Sequence, residues 1–124
     1  MSNLSPKQFW FHSTHEDLPE GATLQPGKSM DKNNFATDKG ASNKSVWIEP
    51  KAHLALGWGS QAARAAGKDI AHVYQVEPTD APTKKGNRGW VTNSAKVVKR
   101  VASVPAVPYS LKTSKEALDS QGLA

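Results

Sequence analysis

The chain has 124 residues, 16 Lys and Arg against 11 Asp and Glu for a net charge of +5, and no cysteine. That length suits one domain of ~100–200 residues rather than two, and the lack of cysteine excludes a disulfide framework, a thiolate metal site and a cysteine nucleophile. With 37% hydrophobic residues and a mean hydropathy of −0.59 the core must be modest, no apolar run nears the ~18 residues that span a bilayer, and MSNLSPKQFWFHS lacks a secretion signal; a soluble, cytoplasmic α+β domain off the membrane is expected.

In chain order, residues 8–12 (QFWFH) are short and aromatic, as in a strand buried early in a sheet. Turn signals at Pro19-Glu20-Gly21 and Gln25-Pro26-Gly27 bracket Leu24, and residues 28–44 form a polar loop or flap. Residues 45–49 (SVWIE) read as a strand, and Pro50 fits the first turn of a helix. Over residues 51–66 the spacing of Leu54, Trp58 and Ala62 predicts one amphipathic face, with Gly67 as the left-handed stop. Gly57 and Gly59 weaken that helix, which implies close backbone approach to a neighbour. Residues 69–77 (DIAHVYQVE) alternate as a strand, and residues 95–101 (AKVVKRV) form a last core strand. Beyond it, Pro105 and Pro108 favour extended chain, and Thr113 to Glu116 has capping-box spacing for a short terminal helix closed by Gly122. The expected division is a lead at 1–8, a body at 9–101 and an extended C-terminal arm at 102–124, held by a protein partner because it is too polar to fold alone.

Charge is uneven. From Ala81 to Lys115 the chain carries Lys84, Lys85, Arg88, Lys96, Lys99, Arg100, Lys112 and Lys115 without an acid. Such a stretch is a solvated basic face or a contact for a phosphate-rich ligand or an acidic protein. Nucleic acid is disfavoured by the absence of a recognisable binding motif. No metal site is expected either: the nearest approach, His12 and His15 with Glu16, sits at a strand end. Gly57-Trp58-Gly59 only imitates the start of a dinucleotide fingerprint, inside a helix.

Several motifs in order resemble the rifampin ADP-ribosyltransferases. They are His12-x-Thr14, LPEGATLQPG at 18–27, VWI at 46–48 followed by ALGWGSQA at 55–62, VYQVEP at 73–78, KGNR at 85–88 and KVV at 96–98. The resemblance covers residues 9–101 and implies a small transferase-like split β-sheet domain with one main helix. It also implies NAD as cofactor, split at the nicotinamide–ribose bond through a cationic transition state.

Residue by residue, the resemblance assigns His12 to the ribose, Ser13 and Thr14 to the nicotinamide end, and Trp47 to stacking on the nicotinamide ring. Ser13 stands where the family has glycine, and Trp47 where it has tyrosine. Asp80 is the nearest candidate for the catalytic acid, in a stretch shortened to run straight into Lys84 and Lys85, and Glu77 belongs to the strand end. Lysines beside a developing cation oppose catalysis, while Lys84, Lys85, Arg88, Lys96, Lys99 and Arg100 could hold an anion or a partner. The reading is a transferase-fold protein with an impaired NAD site, acting as a structural or interaction component of a larger assembly such as a phage virion. The alternative is an active mono-ADP-ribosyltransferase.

Overall fold

The computed structural model describes residues 9–24, 46–84 and 89–120. The expected lead, the polar flap, Lys85, Arg88 and the Gly122 stop lie outside the described residues. The described residues are α+β, with two helices and two antiparallel sheets. In order the elements are β1 (Trp10–Thr14), β2 (Thr23–Leu24), β3 (Val46–Ile48), α1 (Ala52–Ala65), β4 (Ile70–Pro78), β5 (Thr83–Lys84), β6 (Trp90–Thr92), β7 (Ala95–Pro105) and α2 (Leu111–Asp119). Among the described residues no helix is long and apolar enough to cross a membrane.

The larger sheet has the order β1-β4-β7-β2 and the smaller β3-β6-β5. β4 sits between β1 and β7, which explains its apolar content on both faces: Ala71, Val73, Tyr74 and Val76 are all buried. The two sheets meet at one bridge, where Phe11 N–H donates to Glu49 O at 2.8 Å and Glu49 N–H donates back to Phe11 O at 2.9 Å.

The pleat separates two cores. Ala71, Val73, Ala102 and Val104 pack against Ala52, Leu56 and Ala63 of α1 and Leu118 of α2. Tyr74, Val76, Ala95 and Val97 pack with Val46 and Ile48 of β3. Trp10 and Trp90 meet edge to face beside this second core, centroids 5.3 Å apart. The buried Tyr74 hydroxyl donates to Glu16 O at 2.7 Å and accepts from Leu18 N–H at 2.8 Å, pinning the segment after β1.

α1 ends as expected but faces differently. Gly67 has φ +74°, its N–H donates to Arg64 O, and Lys68 N–H donates to Ala63 O, a complete Schellman stop. The expected stripe of Leu54, Trp58 and Ala62 is not the buried one. Ala52, Ala55, Leu56, Gly59, Ser60 and Ala63 are buried, whereas Trp58 is 46% exposed. Small residues let the helix axis approach the sheet, and a Cβ on Gly59 would overlap the Ser13 side chain and main chain. Gly57 meets nothing within 4 Å, so only one of the two glycines marks a close approach.

The C-terminal division also needs correction. The boundary expected after residue 101 falls inside β7, which stays paired with β4 as far as Pro105. Residues 102–120 are not an extended arm: Ala102, Val104 and Leu118 are buried in the first core, and Ser60 Oγ donates to Val107 O at 2.5 Å. Beyond Pro105 one further main-chain bond, Ala106 N–H to Asp69 O at 2.8 Å, carries the contact past the end of the ladder. α2 begins three residues before the expected capping box. Ser110 is its N-cap, accepting from Thr113 N–H at 3.1 Å, while Thr113 Oγ1 accepts from Ser110 N–H at 2.8 Å. Threonine takes the place that Glu or Gln usually fills, which hid this start in the sequence.

Candidate functional site

Of the residues assigned by resemblance, His12, Ser13 and Thr14 lie on β1, Trp47 on β3 and Asp80 in the turn after β4. His12 Nδ1 lies 2.9 Å from the Trp47 carbonyl, so that nitrogen carries the proton and donates, leaving the lone pair of the neutral ring on Nε2. Burial drives the His12 pKa down more strongly than the Trp47 carbonyl and Glu16 raise it. His12 and Trp47 are thus brought together, through a ring nitrogen and a main-chain oxygen. Ser13, one residue on, points to the opposite face: its Oγ donates to His72 O at 2.8 Å and abuts Gly59. Thr14 is buried, and its Oγ1 accepts from Glu16 N–H at 3.2 Å, closing the turn after β1.

Asp80 is occupied by its own turn. Its carboxylate accepts from the Thr92 hydroxyl, from Asn93 N–H at 2.9 Å and from Asn93 Nδ2 at 3.2 Å. The Thr92 bond and then the Asn93 main-chain bond hold its pKa below the ordinary aspartate value, while the group itself is fully exposed. Asp80 ties the end of β4 to the turn between β6 and β7.

The basic residues divide between the sheets. Lys84 is on β5, with its Nζ 5.5 Å from the Trp90 ring centroid. Lys96, Lys99 and Arg100 are exposed on β7, and Arg100 forms an exposed ion pair with Asp17 at 3.3 Å. Among the described residues no group of three or more His, Asp and Glu is placed to hold a metal ion.

A cleft of about 410 Å³ opens elsewhere, between the end of β3, the outer side of α1, β5 and the start of α2. Glu49, His53, Trp58, Lys84, Tyr109 and Leu111 line it, so among the described residues assigned from sequence Lys84 reaches it. Glu49 is only 6% exposed. Its carboxylate packs so closely on Gly89 that a Cβ there would overlap it. Burial raises the Glu49 pKa, opposed by the Trp58 side chain as a donor and by the charge of Lys84.

Across the cleft, burial together with Lys115 and Lys51 lowers the pKa of His53. Tyr109 donates to Pro105 O at 2.8 Å, and burial pushes its pKa up. The cleft brings together the Glu49 carboxylate, the Trp58 and Tyr109 rings and the Lys84 ammonium. It can take a ligand by stacking and by donation to the carboxylate.

Sequence reasoning missed Glu49 and Trp58. Glu49 follows the apolar residues VWI and precedes Pro50, so the chain turns into a helix before the carboxylate can reach open solvent. Trp58 lies off the small-residue stripe at 52, 55, 56, 59, 60 and 63, which leaves its indole on the outer side of α1. The Trp58 signal is present in the sequence, but a large tryptophan reads first as core. The chain matches no known family model, and no curated protein matches it significantly.

Proposed function

We propose that the chain is a binding module on an ADP-ribosyltransferase-like frame whose NAD site is impaired, and that it serves as a structural or interaction component of a larger assembly. A virion is the setting the resemblance suggests. The observation that carries this reading is the state of Asp80. A transferase acid must face a developing positive charge, whereas this carboxylate already accepts three hydrogen bonds that fasten a turn. Ser13 supports the same reading, because its side chain fills the space between β1 and α1. Val107 and Leu111, both well exposed beside α2, offer an apolar contact for a protein partner.

The test is incubation with NAD and either a rifamycin or a cell lysate, following nicotinamide release and label transfer. No release above the spontaneous rate is expected. NAD-dependent labelling of any acceptor, abolished by Asp80→Asn, overturns the proposal. The transferase alternative keeps one observation in its favour: His12 and Trp47 are hydrogen-bonded neighbours on β1 and β3. A calorimetric NAD titration separates binding from turnover, since a retained His12–Trp47 site would bind NAD without splitting it.

A further inference from the structure

The cleft between β3, α1, β5 and α2 holds one carboxylate that the fold has fixed in place. Glu49 commits both main-chain groups to Phe11, at 2.8 and 2.9 Å, so its side chain alone is left for the cleft that it lines. That side chain packs on Gly89, another residue of the lining, and Glu49 is only 6% exposed. An ionised carboxylate only accepts, and enclosing one is costly until a cation or further donors reach it. Lys84 lines the same cleft, but it is an exposed residue whose Nζ stands 5.5 Å from the Trp90 ring centroid. Its charge is screened by water as the enclosed carboxylate is not.

The surroundings of Glu49 select the kind of cation. Leu54, Trp58, Tyr109 and Leu111 share the lining, and Trp58 is 46% and Leu111 65% exposed. Large apolar side chains left in water around a nearly buried charge match the anatomy of a protein-binding hot spot, in which apolar contacts keep water from a charged pair at the centre. A small free cation would meet the carboxylate and leave Leu111 in solvent. The cation must also shed its hydration to reach so enclosed a group. Guanidinium is more weakly hydrated than ammonium, its planar fork matches both carboxylate oxygens, and its stem can lie along apolar walls.

We propose that this cleft receives an arginine side chain of a protein partner, with the guanidinium on Glu49 and the stem against Trp58 and Leu111. The inference rests on the reading of the chain as an interaction module and names the chemistry of its partner.

The test follows the indole N–H resonances of isotopically labelled full-length protein, with the Trp58 signal identified by its loss in Trp58→Phe. A blocked leucine–arginine–leucine tripeptide is expected to shift that signal saturably. The same tripeptide with citrulline, the uncharged isostere of arginine, should bind at least about tenfold more weakly, because the buried charge is left without its partner. Glu49→Gln should erase the preference for arginine over citrulline. Leu111→Ala should weaken both peptides alike. Lys84→Met should tighten the arginine peptide alone, since it removes a like charge. The proposal is overturned if the arginine peptide gives no saturable shift at millimolar concentration, if citrulline binds equally well, or if methylguanidinium binds as tightly as the peptide. The arginine and citrulline comparison uses the parent protein, so a Glu49 variant that fails to fold leaves the test intact. A negative result also leaves the impaired NAD site standing, because that reading is decided by nicotinamide release.

Discussion

Gly59→Ala measures how closely α1 approaches β1. The added Cβ would overlap Ser13 Oγ and Ser13 Cβ, and it would also come within 2.7 Å of the Ser13 carbonyl carbon. A hydroxyl can rotate away, but main chain in the middle of a paired strand cannot. Overpacking of this kind costs ~1–3 kcal/mol, and the main-chain contact places it near ~3. Alanine in a helix interior recovers ~1 kcal/mol over glycine. The net loss is then ~2 kcal/mol, a fall in melting temperature of about 8 °C for a domain of this size. Thermal and urea denaturation followed by circular dichroism give both numbers. In a Ser13→Gly background the Oγ and Cβ overlaps vanish and the main-chain contact stays, so Gly59→Ala should cost ~1 kcal/mol less than in the parent. A Gly59→Ala protein as stable as the parent, or effects that simply add, would refute the close approach.

Leu118→Ala should destabilise the whole domain by ~2–5 kcal/mol, because this side chain is 1% exposed and joins α2 to the first core. Global unfolding should shift with it; protease release of residues 106–120 from an unchanged body would instead restore the picture of a separate arm. Asp80→Asn should flatten the acid side of the stability curve. The folded Asp80 pKa is depressed, so its stabilisation is complete above the ordinary aspartate value and disappears as pH falls through the folded value. Acid titration of the melting temperature for parent and variant shows whether that slope belongs to Asp80. Glu49 should behave in the opposite sense. Its folded pKa is raised, so stability falls as pH climbs from the ordinary glutamate value through the folded value, and Glu49→Gln should remove that decline and be the more stable protein at neutral pH. A parent curve that is flat across this window contradicts the burial of the carboxylate.

Strands with strong β-branched or aromatic content were legible from sequence alone. β3, β4 and the first part of β7 fall where residues 45–49, 69–77 and 95–101 pointed, and Gly67 stops α1 through a left-handed turn that favours glycine. The smaller sheet was harder to foresee. β5 and β6 have two and three residues, too short for periodicity, and they exist because β6 pairs with β3. The α1 face was misread because Trp58 dominates any estimate of hydrophobicity, whereas the alanines, Gly59 and Ser60 bury more completely by being small. The C-terminal segment looked too polar to order itself, yet Leu118 needs only the α1 surface to be buried, and that surface is invisible from the segment's own composition. His12 and Trp47 were singled out and are neighbours; Glu49 gave little local signal, because its enclosure depends on α1, β5 and Gly89 together.

The bridge between Phe11 and Glu49 has a consequence for how this protein can change over generations. Glu49 joins the two sheets through its N–H and C=O, groups shared by every residue except proline, and meets the cleft only through its side chain. Substitution at this position can therefore change the lining of the cleft while the seam between the sheets keeps its two hydrogen bonds. The chemistry lining the cleft at this position can drift under selection without the architecture having to be reinvented.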